Sequence, residues 1–447
     1  MKENNEIKRV LVVGSWAKEQ ITIENIRKKP DVKVFAYMDI KNPGIIDIVD
    51  GYKIGGLHDT LDIINYVKEQ DIDLVLITTA APLSKGLVDE FQRENILVFG
   101  PTKKAARLEY DKAFARNLMK KYKIDALPLF QIFRNPEDAI SFSESLSWNV
   151  AVKPIGLTEG LGVKVYGEQL NKPEDVIIYI HEIFDKKIGG NNKVLIEEKL
   201  TGNEFTIQCF VNGNNIISTP AVQDFKKLLP DDLGPNTASM GSYSDKGLIL
   251  PFMSYDDYLK AVDIIMKTLE AFNKETGDNC VGFLYGQFMI TSDGIKLVEY
   301  NFRPGDPEWM NTLSVIEDNV VDIVSFLLDG IQKPVDFEDK ATVCKYIVPE
   351  GYPKKLNKVL DVTFNNEDIK KTGVDFYYSS GFDHNGKLRV GCERGIAFIA
   401  KADTIFKANQ MVEKAISMID GNFHYRGDIG TKRLINSKIE QAKEVRK

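Results

Sequence analysis

Four short apolar runs, spaced by polar, helix-like stretches, organise the first hundred residues. They are Arg9–Val13 (RVLVV), Val32–Tyr37 (VKVFAY), Leu74–Thr78 (LVLIT) and Ile96–Phe99 (ILVF). Runs without polar alternation leave neither face of a strand for water. Helices such as Leu61–Gln70 must then cover both faces, and strands joined by crossover helices are parallel. The pattern predicts a Rossmann-like α/β domain over residues 1–102. Its first turn, Gly14-Ser15-Trp16-Ala17-Lys18-Glu19, is not the GxGxxG of dinucleotide sites. A helix N-terminus there still offers amides to a phosphate.

The chain has 447 residues, which predicts about three domains. Thr102–Tyr122 reads as one long helix, and Pro128 opens a mixed region. Val150–Lys153 is a strand, followed by Gly156-Leu157-Thr158-Glu159-Gly160-Leu161-Gly162 and the strand Val163–Tyr166. Strand, glycine loop and strand make a hairpin flap, not a P-loop, and no GK[ST] follows. Val194–Glu197 and Phe205–Val211 are further strands. Asp256–Phe272 is an amphipathic helix with a Ser254/Asp257 capping box, read as core packing. After Gly330, the short strands Ala341–Val348, Val374–Tyr378, Arg389–Val390 and Ile396–Ile399 and a helix over Phe406–Ile419 predict a small, separate α+β domain.

Lys plus Arg number 58 and Asp plus Glu 65, a net charge of −7. That balance gives no global footprint for nucleic acid. No run of about 18 apolar residues exists to span a membrane. Met1–Arg9 lacks the apolar core of a signal peptide. Cys209, Cys280, Cys344 and Cys392 lie far apart and form no CxxC, which predicts a reduced, cytoplasmic protein.

The segment richest in chemistry is Gly282–Glu308, GFLYGQFMITSDGIKLVEYNFRPGDPE. Two apolar strands flank Ser292-Asp293-Gly294, a hairpin signal. Centred on Asp293, the hairpin pairs residues whose numbers sum to 586, so Gln287 faces Glu299 and Tyr285 faces Asn301. Gln287, Glu299 and Asn301 then project from one face. One carboxylate and two amide oxygens are hard ligands, suited to magnesium and unsuited to zinc. Arg303 reaches the same face and can neutralise a phosphate. An E-x-N alone reads more readily as a solvated polar face. The glycine-rich flap, Lys153 ending a buried strand, and Glu197-Glu198-Lys199-Leu200 with Gly202-Asn203-Glu204 tip the balance to a nucleotide clamp between two sheets.

Together these segments resemble the ATP-grasp superfamily and, within it, the phosphoribosylamine–glycine ligase (glycinamide ribonucleotide synthetase) family of purine synthesis. The landmarks run from Phe99-Gly100-Pro101, Glu109, Lys112 and Phe114 through Val152-Lys153, Ile196-Glu197-Glu198 and Gln223-Asp224. They continue through Gly234-Pro235-Asn236-Thr237, Met240–Ser244, Gly282–Tyr285, Glu299–Arg303 and Gly305–Glu308 to Tyr425–Gly430. The GPNT and GDPE segments together are specific to that lineage. The resemblance implies three domains: a Rossmann-like pre-ATP-grasp domain (1–102), an ATP-grasp domain (103–333, flap about 124–200) and a C-terminal α+β domain (334–447).

It also implies an ATP- and magnesium-dependent ligase, with manganese as an alternative ion, acting on a small amine and a small carboxylate as a monomer or homodimer. ATP binding falls to Lys112, Lys153, Gly160, Gly162, Glu197, Lys199, Leu200 and Glu204, with the base beside Glu197, Lys199 and Leu200. The metal falls to Glu299, Asn301 and Gln287. Arg303, Lys226 and Asp224 are the catalytic candidates. Gly14, Ser15, Pro82, Asn236, Thr237, Ser239, Asp306 and Pro307 are the candidates for binding the other substrates.

Some loops depart from the family pattern. GSGGREHA becomes Gly14–Gln20, with its later glycines, Arg and His replaced. GPEAPL becomes Thr78–Leu83 without the acid. GPNTGGMG becomes GPNTASMG, with Ala238 and Ser239 for two glycines. QDHKR becomes Gln223–Lys227, NCRFGDPE gains Pro304, and the flap loses a lysine. Gln287 stands where the family tends to carry Gly. The expected activity is phosphoribosylamine plus glycine plus ATP to glycinamide ribonucleotide, ADP and phosphate. Two rivals are a paralogue joining another acid and amine, and a nucleotide-binding regulator. Glu299, Asn301 and Arg303 argue against the regulator.

Overall fold

The computed structural model describes residues 7–156, 162–354, 360–384, 387–390 and 393–447. The N-terminal strands β1 (Arg9–Val13), β2 (Lys33–Met38), β3 (Gly51–Ile54), β4 (Leu74–Ile77) and β5 (Val98–Phe99) form one parallel sheet in the order β3-β2-β1-β4-β5. Helix α1 (Ala17–Arg27) follows β1. Along β1, Val10 and Val12 enter one core, while Leu11 and Val13 enter another on the opposite face. That two-sided burial is why the strand carries no polar alternation. The order reverses between β1 and β4, so a crevice opens past their C-terminal ends, where Gly14, Ser15 and Thr78 lie. The sequence reading lacks β3, whose GYKI is half exposed at the sheet edge.

The single helix expected over Thr102–Tyr122 is instead two, Arg107–Tyr110 and α2 (Lys112–Lys121). Asp111 leaves the helical conformation at φ −115°, ψ 78°, and its carboxylate accepts from the Phe114 amide at 3.0 Å. An N-cap in mid-segment restarts the helix and turns its axis.

The central region holds two antiparallel sheets. One comprises β6 (Phe130–Phe133), β7 (Val150–Pro154), β8 (Lys164–Val165) and β9 (Val194–Glu198) in the order β6-β9-β7-β8. Ala151 pairs with Val165 and Val152 with Lys164, which is the expected flap hairpin. The other holds β10 (Asn203–Asn212), β11 (Asn215–Ser218), β16 (Val281–Thr291) and β17 (Gly294–Asn301) in the order β11-β10-β16-β17. Between them in sequence come β12 (Gln223–Asp224), β13 (Lys227–Leu229), β14 (Leu233–Asn236), β15 (Gly241–Ser244) and helix α3 (Tyr255–Thr276). Ser254 and Asp257 form the expected capping box of α3.

The C-terminal region has a four-stranded sheet of its own, from Leu360–Thr363, Gly381–His384, Lys387–Val390 and Asp420–Gly421, and it shares a second sheet with the central region. Strand Ala341–Pro349 pairs with Ile396–Ala402 on one side and with β15 on the other, and β15 pairs with β12. One six-stranded sheet therefore crosses from the central region into the C-terminal one. A last helix, Lys432–Val445, was not anticipated; only Leu434 and Ala442 of it are buried. Leu434, Ile435, Ile439 and Ala442 form a narrow apolar stripe on this otherwise polar stretch and pack against the main core. No helix among the described residues is long and apolar enough to cross a membrane. Cys209, Cys280 and Cys344 are buried and free, and Cys392 lies outside the described residues.

Candidate active site

The hairpin β16–β17 has the predicted register where it matters. Gln287 stands opposite Glu299 and Tyr285 opposite Asn301. Nearer the turn the pairs are Phe288 with Leu297 and Thr291 with Gly294, one residue out of phase with the first set. A β-bulge at Val298 makes up the difference. The bulged carbonyl accepts from Arg116 Nη2 at 2.7 Å and from Lys153 Nζ at 3.4 Å.

Glu299 and Asn301 share a face, with Asn301 Nδ2 donating to Glu299 Oε1 at 3.4 Å. Burial would raise the Glu299 carboxyl, but Lys112, Lys226 and Lys153 hold it below its usual range. Gln287 is 1% exposed. Its amide nitrogen donates to Glu204, and its Oε1 is buried with no hydrogen-bond partner among the described residues. An orphaned buried oxygen opposite an ionised carboxylate fits a hard cation. No group of three or more His, Cys, Asp or Glu among the described residues could hold a metal by itself. The remaining ligands must come from water and phosphate oxygens, the usual habit of magnesium.

Lys112 starts α2 and forms no hydrogen bond or ion pair among the described residues, while its charge acts on Glu299. Lys153 is 6% exposed at the end of β7. Its ammonium lies 2.6 Å from Glu197 Oε2. The Glu197 carboxylate also accepts from Arg116 Nε at 2.5 Å and Nη2 at 3.3 Å. Burial works against the Glu197 charge, yet Arg116 and Lys153 hold the carboxyl at about 2. Glu197 was expected at the base pocket, but its carboxylate is committed to these two cations. Lys199 and Leu200, which follow it, are half-buried, and Lys199 Nζ donates to the Tyr166 carbonyl at 2.8 Å. Gly162 is buried and its carbonyl accepts from the Tyr179 hydroxyl at 2.5 Å. Gly160 lies outside the described residues.

A second cluster faces Gln287 from β10 and β12. Glu204 lies 3.5 Å from Lys226. Burial would lower the Lys226 ammonium, but Asp224, Glu204, Glu299 and Glu308 push it up. Burial raises Asp224, and Glu308 and Glu204 add to it, so its carboxyl reaches about 7 against the pull of Lys226. The Thr237 hydroxyl donates to the Lys226 carbonyl at 2.8 Å, and Asn236 ends β14 beside it. Ser239, where the family pattern has Gly, keeps a φ of 85°. That left-handed backbone is what a glycine would adopt freely, and the serine hydroxyl bonds locally to Gly241.

The far end of the cleft draws on all three regions. Arg303 Nε donates to Glu109 Oε1 at 3.2 Å, and the Phe302 amide to Glu109 Oε2 at 2.9 Å. Asp306 accepts from the Tyr346 hydroxyl at 2.6 Å and lies 3.1 Å from Arg394 Nη1, both C-terminal residues; Pro307 follows, buried. Gly14 has a φ of 139°, and a Cβ there would lie 2.6 Å from the Glu19 carboxyl carbon. Ser15 Oγ donates to Asp39 at 2.5 Å, and Pro82 is buried in the short helix Ala80–Lys85.

Two residues in this region escaped the sequence reading. Glu19 is fully buried, accepting from Trp16 N at 2.7 Å and Thr78 Oγ1 at 2.6 Å. Burial raises its carboxyl to about 6. Lys18 is 5% exposed; its nearest ion-pair partner is Glu19 at 3.8 Å, and its ammonium makes no hydrogen bond among the described residues. Burial lowers Lys18, and Arg303, Asp306 and Glu109 act on it, which places it toward the cleft. The signal was present: in GSGGREHA, Lys18 takes the position of Arg and keeps its charge.

The N domain of phosphoribosylglycinamide synthetase matches residues 8–109, its ATP-grasp (A) domain residues 110–309 and its C domain residues 342–432. The phosphoribosylamine–glycine ligase of Methanobrevibacter smithii is 39% identical over 437 residues, covering 98% of this chain and 99% of that protein. The one from Methanosarcina barkeri is 41% identical over 441 residues, covering 98% and 100%. Among solved structures, the phosphoribosylamine–glycine ligase of Thermotoga maritima superposes with a TM-score of 0.79 at 27% identity, covering 94% of this chain and 100% of that one.

Proposed function

The chain belongs to the phosphoribosylglycinamide synthetase family, and from that premise we propose how its cleft performs the family's reaction. The protein is an ATP-dependent C–N ligase of purine synthesis, joining phosphoribosylamine to glycine to give glycinamide ribonucleotide, ADP and phosphate. We set its domain limits at 1–102, 103–333 and 334–447, and read it as a cytoplasmic monomer or homodimer.

The chemical obstacle is repulsion between two anions, the triphosphate and the glycine carboxylate. Lys112 and Lys153 meet the phosphates from α2 and β7. Glu299, Asn301 and Gln287 would hold magnesium, which would supply charge neutralisation on the phosphate oxygens. Gly162, Lys199 and Leu200 enclose the nucleotide, and Glu204 takes the ribose hydroxyls. Arg303 and Lys226 stabilise the charge that gathers as a carboxylate oxygen bonds to the γ-phosphorus and ADP leaves. The amine of phosphoribosylamine then attacks the acyl carbon, loses a proton and releases phosphate. Asp224, with its carboxyl near neutrality, is placed to take that proton.

Gly14, Ser15, Pro82, Asn236, Thr237, Ser239, Asp306 and Pro307 line the side for glycine and phosphoribosylamine. Lys18 joins them: a buried ammonium without a hydrogen bond among the described residues, near the α1 N-terminus, suits the 5-phosphate. The observation that carries this reading is Glu299, Asn301 and the orphaned Gln287 oxygen set among Lys112, Lys153 and Lys226. The test is ADP release with each substrate omitted in turn. Turnover should require glycine and phosphoribosylamine together, and ADP release with other pairs but not this one would refute it.

A further inference from the structure

Glu197 has one negative charge and two cations on it. Arg116 grips both of its oxygens, and Lys153 lies against Oε2. All three side chains are buried, at 3%, 6% and 2% exposure for Arg116, Lys153 and Glu197. The triad therefore carries a net charge of +1 in a place where water screens little. A buried lysine paired with a lone carboxylate would be neutral, and drawing it toward a phosphate would strand the carboxylate. Here the second cation removes that penalty.

Arg116 lies four residues after Lys112, on the same face of α2. Its guanidinium also donates to the carbonyls of Leu297 and Val298, at 3.2 and 2.7 Å, next to Glu299. Arg116 thus touches the flap sheet and the β17 strand at once. The planar fork of arginine suits this divided duty.

We infer that Arg116 is a positioning residue for the nucleotide: by balancing Glu197, it lets the Lys153 ammonium turn to a phosphate without stranding a buried carboxylate. The inference rests on the reading of Lys153 as a phosphate contact. Its signature is charge arithmetic. The triad holds +1 in the natural protein, 0 in Arg116→Met, and +1 again in the double variant Arg116→Met/Glu197→Gln.

The experiment titrates ADP and adenosine, each with magnesium chloride, into the full-length protein and these variants by calorimetry. Arg116→Met should weaken ADP at least tenfold and leave adenosine within twofold. The double variant should recover most of the ADP affinity, and Arg116→Lys should stay within about threefold of the natural protein. Parallel loss of ADP and adenosine with a lowered melting temperature would mark a merely structural role and overturn the inference. So would unchanged ADP binding in Arg116→Met, or no recovery in the double variant. Should Arg116→Met not fold, Arg116→Lys and the double variant carry the test under the same limits. Lys153→Met separates the two layers. Unchanged ADP affinity there defeats the phosphate reading of Lys153 itself, whereas a loss there without one in Arg116→Met defeats only the role of Arg116.

Discussion

Gln287 on β16 stands directly opposite Glu299 on β17, its amide nitrogen bound to Glu204 and its oxygen left without a partner among the described residues. An unsatisfied buried amide oxygen costs about 1–3 kcal/mol. A cation shared with Glu299 and Asn301 would relieve that cost. Replacing Gln287 by Gly should raise the half-saturating magnesium concentration roughly threefold to tenfold, with turnover at saturating magnesium retained. A magnesium titration of ADP release checks this, and an unmoved midpoint would mean that Gln287 only packs.

Glu299 carries the one carboxylate of the set. Glu299→Gln should lower turnover roughly a hundredfold or more, because it removes charge from the cation site while keeping the side chain's shape. Circular dichroism and the melting temperature should stay near those of the natural protein. Unchanged turnover would show the metal assignment to be wrong.

Much of this site was legible in the sequence. Period-two alternation and the Ser292-Asp293-Gly294 turn put Gln287, Glu299 and Asn301 on one face. The bulge at Val298 was not legible, although without it the turn pairing would set Glu299 out of step with Gln287. Nor was the grip of Arg116 on Glu197, 81 residues away, since no local pattern encodes such a pair. Asp111 looks like any helix residue until its carboxylate is seen capping Phe114. The sheet that joins the C-terminal unit to the central region was not legible either, because β15 is only four residues long and its pairing, Gly241–Ser244 facing Thr342–Lys345, is non-local.

Lys18 gives a prediction that separates the substrates. Lys18→Met should raise the KM for phosphoribosylamine, formed in place from ribose 5-phosphate and ammonia, about tenfold. The KM for ATP should stay within twofold. Equal changes in both would remove Lys18 from the phosphoribosylamine side.

The Glu197 charge also sets an acid limit. Its carboxyl sits at about 2 in the folded chain, against about 4.3 for a free glutamate, a difference worth roughly 3 kcal/mol. A depressed carboxyl stabilises the fold above the unfolded value, and that stability is lost as pH falls from about 4.3 through about 2. Urea unfolding of the natural protein and of Glu197→Gln should therefore converge in that window, with the natural protein losing roughly 3 kcal/mol more. Parallel pH curves would contradict the buried triad.

In the proposed reaction the cleft transfers phosphate to the glycine carboxylate before the amide forms. Glycine labelled with ¹⁸O in both carboxylate oxygens tests it in one turnover experiment read by mass spectrometry. Each phosphate released should carry one labelled oxygen, with the other retained in the amide product. Unlabelled phosphate, with amide still formed, would contradict the acyl phosphate route and the roles of Arg303 and Lys226 in it.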